Sequence, residues 1–329
     1  MKSSFKKLPG SKIELEVSLT KEEFLPYYNT ANEAALKNVH LKGFRPGTAP
    51  KEMADAAVDK DVVFNEAAKN VVRWSLDEIS KDNEWTLIDA PHVEIQDAKD
   101  LGISYKATLT IFPEIKLANY KKIAKKVMAE EKIQVVEPKE LEQTLEWIRG
   151  QRKPVGAPTE ASEEKLPELN DEFAKSLGKF ENLDALKKSV TEGILAEKNV
   201  REHDRLRLKM LDEIVKESAV DLPEVMVQKT YDSMIRQYAA MLKASGPLRQ
   251  GSSEASKKEE DAQKEVYEKA KNNVLNNLVI YKLAQTEKLE PTEEEVKQRE
   301  GSVESDQNYQ YIYGVLQNEK VFKFLEAQK

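Results

Sequence analysis

Lys12-Ile13-Glu14-Leu15-Glu16-Val17-Ser18-Leu19-Thr20-Lys21-Glu22-Glu23 holds a strand and the start of a helix in one short run. Ile13, Leu15, Val17 and Leu19 alternate with Lys12, Glu14, Glu16 and Ser18. That period of two is the pattern of a strand with one face buried. Thr20 with Glu23 three positions on is a capping box, so a helix opens here and runs to about Val39. Pro26 is a complication: it marks either the first turn, where its missing N–H costs nothing, or a position in the interior of that helix. Working outward, Ile103, Tyr105, Ala107, Leu109 and Ile111 alternate with Ser104, Lys106, Thr108 and Thr110, a second strand that stops at Pro113. Val93 and Ile95 give a shorter strand after Pro91. Lys51 to Val58 reads as a short helix. Val62 to Ile79 reads as a longer one, with Phe64, Ala67, Ala68, Val71, Val72, Leu76 and Ile79 on one side. Residues 1–115 are therefore expected to be α+β, a small antiparallel sheet with helices on one face.

The texture changes after Glu114. Ile115 to Glu137 has no strong period and carries the basic run Lys121, Lys122, Lys125 and Lys126; residues 116–137 read as an extended linker. Pro138 opens a helix with Leu141, Leu145 and Ile148 on one side, ending at Gly150. Residues 151–165 are a polar connector punctuated by Pro154, Gly156 and Pro158. From Leu166 to the end the pattern is helical throughout. Leu183, Leu186, Val190 and Ile194 form an apolar stripe, Glu197 to Arg205 is polar nearly all round, and Leu206, Met210, Leu211, Ile214 and Val215 resume the stripe. After Asp221-Leu222-Pro223, the residues Val227, Tyr231, Met234, Tyr238 and Met241 follow a 4-3-4-3 spacing, a narrow seam. Residues 245–256 form a polar loop, and Lys257 to Lys288 one long helix that is charged early and apolar late. A short helix at Pro291 and a last one from Tyr309 to Leu325 close the chain. Residues 138–329 read as one all-α domain with arm-like helices.

Composition bounds the function. The chain has 329 residues, a net charge of −7, 34% charged residues and only 12 glycines, which suits long solvated helices. It has no Cys, so disulfides, thiolate metal sites and cysteine nucleophiles are excluded. The basic start, Met1 to Lys7, has no apolar segment after it and is not a secretory signal. No apolar run approaches the roughly 20 residues that span a bilayer. A soluble cytoplasmic protein without membrane contact is the expectation. The three histidines, His40, His92 and His203, are far apart and in no metal spacing. There is no G-x-S-x-G, no G-x-x-x-x-G-K-S/T and no G-x-G-x-x-G. No catalytic residue, metal site or cofactor is assigned.

Two features point to binding. Gly43-Phe44-Arg45-Pro46-Gly47-Thr48-Ala49-Pro50 is a stiff loop between two helices. Pro46 pushes Arg45 extended, Pro46-Gly47 suits a type II turn, and Pro50 is placed to open the next helix. From Ala34 to Lys51 the chain carries Lys37, Lys42, Arg45 and Lys51 and no acid. Such a loop is either a tight connector or a docking point that shows an aromatic and an arginine. The second feature is the seam helix. Met226, Met234 and Met241 are three of only seven methionines. Flexible Met side chains serve equally as core filler or as an adaptable binding surface.

These residues resemble the trigger factor family of ribosome-associated bacterial chaperones. Gly43-Phe44-Arg45-x-Gly47-x-x-Pro50 is similar to the family's G-F-R-x-G-x-x-P signature, and the elements around it come in the family's order. Leu166 to Ala174 and Asp221-Leu222-Pro223 are similar to the segments that open its second helical block and its substrate-facing arm. The resemblance implies docking at the ribosomal exit tunnel, on protein and rRNA, through Lys42, Gly43, Phe44, Arg45, Pro46, Gly47, Pro50 and Lys51. It implies weak apolar contacts with nascent and unfolded polypeptides at Met226, Met234, Ile235, Tyr238 and Met241, without ATP. A homodimer is compatible with it. Two departures stand out. Most members insert an FKBP-type prolyl isomerase domain where this chain has only Gln151 to Lys165, too little to build a domain. The family often has Lys where this chain has Pro46 and Thr48. The alternatives are a prolyl isomerase and a helical adaptor unrelated to ribosomes.

Overall fold

The computed structural model describes residues 1–40, 44, 50–97, 102–151, 168–178, 180–244, 255–300 and 306–328. They form two compact units. One is Met1–Lys116 with Ala219–Leu278, the other Leu117–Ser218 with Val279–Lys329. The expected domains, 1–115 and 138–329, are each continuous in the chain; the compact units are not.

The first unit begins with β1 (Lys2–Leu8), β2 (Lys12–Leu19), α1 (Lys21–Asn38), α2 (Lys51–Ala57), α3 (Lys60–Asp82), β3 (His92–Asp97), β4 (Ile103–Thr110) and β5 (Ile115–Lys116). The first four strands make an antiparallel sheet in the order β1-β2-β4-β3. Ile13, Leu15, Val17 and Leu19 stand opposite Leu109, Ala107, Tyr105 and Ile103, all eight buried on one face. Helices α1 and α3 cover that face with Phe24, Ala31, Val63, Ala67, Val71, Leu76 and Ile79. The hydroxyl of fully buried Tyr105 meets Ser75 Oγ at 2.6 Å, so its one polar atom is satisfied. The other face of the sheet is polar, with Lys106 and Glu14 paired across the strands at 2.9 Å.

Helix α1 starts at Lys21, and Pro26 lies inside it, not in the first turn. The Glu23 carboxylate accepts the Thr20 N–H at 2.9 Å, and Phe24 is fully buried. Together they fix the start of the helix upstream of the proline. Helix α3 is capped by Asp59, whose side chain accepts from the N–H groups of Asp61 and Val62.

The second unit opens with α4 (Tyr120–Met128), α5 (Pro138–Gln151), α6 (Asp171–Ser176) and α7 (Leu183–Glu217). The chain then returns to the first unit with β6 (Ala219–Val220) and α8 (Glu224–Ala244). Helix α9 (Ala255–Glu287) contributes to both units, and α10 (Glu293–Glu300) and α11 (Asp306–Glu326) complete the second.

Helix α4 corrects the reading of residues 116–137 as extended. The Asn119 side chain accepts the Lys122 N–H at 3.2 Å and caps it. Ile123, Ala124, Val127 and Met128 are buried against α7 and α11. The four lysines occupy the opposite face, so the basic run conceals a helical period. The stretch Glu197 to Arg205 is part of one unbroken α7, although it is polar nearly all round. Its Glu202 is buried, accepting the Lys132 N–H at 3.1 Å and two bonds from Arg205 at 2.7 and 2.8 Å. A small core of Leu145, Phe173, Ala174 and Leu186 ties α5, α6 and α7 together. Lys198 and Glu140 meet beside it at 2.6 Å.

Back in the first unit, β6 pairs antiparallel with β5, so Ala219 and Val220 are strand where helix and loop alone were expected. The next residue clamps the β1–β2 turn. Gly10 and Ser11 both have positive φ, at 77° and 54°, which points their successive N–H groups outward together. Both donate to the Asp221 carboxylate, at 2.8 and 2.6 Å. The polar loop expected at 245–256 and the connector at 151–165 lie almost wholly outside the described residues. Among the described residues no helix is long and apolar enough to cross a membrane.

Candidate functional site

Of the loop residues singled out in the sequence, Phe44, Pro50 and Lys51 are described; Lys42, Gly43, Arg45, Pro46 and Gly47 lie outside the described residues, as does Thr48. The Phe44 side chain is 39% exposed. Pro50 stands at the N-cap of α2, one position before the helix, and its carbonyl accepts from the N–H groups of Met53 and Ala54, both at 3.0 Å. Lys51 is the first residue of α2. Met53 is half exposed, while Ala54 beside it is buried. Two apolar side chains therefore face solvent near a stretch rich in cations. Met53 was not singled out from sequence.

The seam on α8 divides along its length. Val227 is fully buried. Tyr231 packs on Tyr267 of α9 with ring centroids 5.9 Å apart, and the Tyr267 hydroxyl donates to Glu224. That hydrogen bond to a carboxylate, with burial, raises the Tyr267 pKa. The Asn273 amide donates to Met234 Sδ at 3.8 Å, and Ala270 and Val274 supply the buried face of α9. Met226, Met234 and Ile235 are each half buried. Tyr238 is exposed, as is every residue from Arg236 to Ala240. Met241 belongs to α8, but its side chain lies outside the description. The first half of the seam is thus a helix-to-helix contact, and the second half presents side chains to solvent. An apolar stripe with half-covered methionines can make many weak, adaptable contacts, and no single strong one.

No group of three or more His, Asp or Glu with metal-binding geometry occurs among the described residues. His92 lies 3.2 Å from Glu94 on the surface, and His203 lies 3.7 Å from Glu326, which also accepts from Arg207. Nothing in these pairs places a nucleophile beside a base.

Comparison with known proteins bears on both halves. The family model for "Bacterial trigger factor protein (TF)" matches residues 1–148, and that for "Bacterial trigger factor protein (TF) C-terminus" matches 182–329. Residues 149–181 are matched by neither. Trigger factor of Caldanaerobacter subterraneus subsp. tengcongensis is 26% identical over 387 aligned positions, covering 91% of this chain and 88% of the relative. That alignment is longer than the chain's 329 residues, so the relative has residues without a counterpart here. Trigger factor of Clostridium kluyveri is 22% identical over 99% of this chain and 98% of its own length. A solved structure reported under "Promiscuous Substrate Recognition in Folding and Assembly Activities of the Trigger Factor Chaperone" is similar in fold, with a TM-score of 0.62 at 16% identity. It covers 99% of this chain and 100% of that one. With both of its terminal regions matched by models of one family, and with the fold of that family, the chain belongs to the bacterial trigger factors.

Proposed function

We propose that the chain is an ATP-independent cytoplasmic chaperone that docks at the ribosomal exit tunnel and holds nascent or unfolded polypeptides. The observation that carries this reading is the family match at both ends of the chain, with the G-F-R-x-G-x-x-P signature inside the first matched region. Docking is assigned to the loop from Lys42 to Lys51. Exposed Phe44 makes an apolar contact, and Arg45 with its flanking lysines neutralises carboxylate or phosphate on the ribosome. Client contacts are assigned to the solvent-facing part of α8, with Met226, Met234, Ile235, Tyr238 and Met241. Residues 1–115 supply docking in this reading, 116–137 the link, and 138–329 the client-binding helices. Weak apolar contacts suit a holdase, because a client has to be released to fold without a nucleotide cycle. With only residues 151–165 where family members insert an isomerase domain, we assign no prolyl isomerase activity.

The test is co-sedimentation with ribosomes. The double variant Phe44→Ala, Arg45→Ala should lose most of the bound fraction, and wild-type binding should weaken as salt rises. Unchanged co-sedimentation of the double variant would sink the docking assignment. In a proline-limited refolding assay the protein should leave the slow phase unaccelerated; clear catalysis would overturn the non-enzymatic reading.

A further inference from the structure

The sheet in the first unit has the order β1-β2-β4-β3, so β3 is an edge strand. From His92 to Ile95 it pairs in regular register with β4 on one side. From His92 to Ile95, no backbone hydrogen bond to another described residue forms on its other side. Beside it lies a groove of about 740 Å³ between β3 and α3. Val93 and Ile95 form its strand side; Val72 and Leu76 of α3 form its floor. Ile95 is 49% exposed, although it sits on the same face of the sheet as buried Tyr105, its partner across the strands. The hydrophobic core is therefore open at this edge. A four-stranded sheet leaves the last strip of the long helix α3 without a strand beneath it.

The walls are not neutral. Lys69 and Arg73 line the groove from α3, one turn apart. Lys69 reaches only the exposed Glu66, at 3.6 Å, and Arg73 has no ion pair among the described residues. Asp77 is the one carboxylate among the described lining residues. In a chain of net charge −7 this is a locally cationic, apolar trough along an unpaired strand edge.

We infer that the β3 edge and its groove take an extended polypeptide segment, apolar on alternate residues and flanked by carboxylates, as a fifth strand. Main-chain hydrogen bonds to β3 supply sequence-independent affinity. Alternate side chains of the incoming strand, about 6.6 Å apart, point into the groove beside Val93 and Ile95. Lys69 and Arg73 select segments with acidic flanks. The bulge where the register shifts between Ile95 and Asp97 ends the pairing edge and limits the added strand to a short one. This inference deepens the client-binding reading above and rests on it for the source of the strand. It places a second client site on the sheet, apart from the α8 seam.

The test uses the full chain and two labelled peptides that alternate valine and threonine, one flanked by glutamates and its twin by lysines. The glutamate peptide should bind wild type about twofold to fivefold more tightly than its twin, the ratio of an exposed ion pair. Arg73→Glu should reverse that preference. Ile95→Lys should weaken the lysine-flanked peptide about tenfold or more, through loss of one apolar anchor and a new like charge, and the glutamate peptide by a smaller factor. Amide exchange along β3 should slow when the glutamate peptide binds. Circular dichroism melts confirm that both variants stay folded. Equal binding by Ile95→Lys, or unchanged exchange along β3, overturns the site. If Ile95→Lys instead converts a dimer of the free protein to a monomer, the occupant is a second copy and the inference fails. Aggregation of an unfolded protein is followed alongside. Suppression by wild type together with peptide binding indifferent to Ile95 and Arg73 overturns the groove alone. No suppression overturns the client-binding reading and the groove's role with it.

Discussion

At Glu202 a carboxylate turns inward from the most polar stretch of α7. The hydrogen bonds from Arg205, and then the backbone N–H of Lys132, favour its charged form and hold its pKa at about 2, against an ordinary 4.5. The folded value is the lower one. The stabilising contribution is therefore complete above the ordinary value and fades as pH falls from about 4.5 towards 2. Glu202→Gln keeps the shape and removes the titration, so thermal melts of the variant should fall less steeply with acid than those of wild type. A parallel slope in both would show that Glu202 does not carry the acid sensitivity. Tyr120 works at the other end of the scale. Burial, and the hydrogen bond its hydroxyl donates to Glu287 at 2.5 Å, push its pKa up to about 12. Its contribution is full below pH 10 and is lost as pH rises from there to about 12. Tyr120→Phe should flatten the alkaline limb of the melting profile. Arg205 lies only three residues from Glu202, but the other partners do not show in sequence, because Lys132 is 70 residues from Glu202 and Glu287 is 167 from Tyr120.

Helix α4 shows how local pattern can hide an element. Its four buried residues are Ile123, Ala124, Val127 and Met128, a proper helical face, but the four lysines between and beside them suggest a solvated linker. The Asn119 cap is one of the features that set where it starts. Asn119→Ala should cost about 1 kcal/mol in a denaturant titration, and Asn119→Asp should cost much less. If the alanine variant is as stable as wild type, α4 is held by packing alone. Elements with strict periodicity were legible. Strands β2 and β4 follow from alternation, α1 from Thr20 and Glu23, and α3 from its apolar stripe. The G-F-R-x-G-x-x-P loop was legible as a candidate for the same reason, since proline and glycine act locally. The groove beside β3 was not. The alternation of Val93 and Ile95 marks a strand, but which strand ends at the sheet edge is decided by pairings across the chain. The division of the α8 seam does not show in the sequence either, because Tyr231 and Tyr238 have equal standing in the spacing, yet Tyr231 packs on Tyr267 and Tyr238 is exposed.

At the scale of the molecule, the first unit is assembled from two separate parts of the chain. β5 finds its partner in β6, and the Gly10-Ser11 turn finds its acceptor in Asp221. A fragment of residues 1–116 should therefore melt below the unit in the whole chain, by circular dichroism, and Asp221→Ala in the whole chain should reproduce part of that loss, about 1 kcal/mol. Equal melting of fragment and whole would mean that these long-range bonds add nothing. The bond from Gly10 to Asp221 spans 211 positions. During synthesis the sheet residues leave the ribosome first, while the residue that clamps their turn is still to be made. At about 5–20 residues per second, the roughly 100 residues between Lys116 and Asp221 take about 5–20 seconds to appear. Hairpins form in about 1–10 microseconds, so the sheet can pair long before its clamp arrives. The newborn protein spends that interval with β5 unpaired and its first turn unanchored. A protein assigned to guard other nascent chains would itself pass through the state it is assigned to protect.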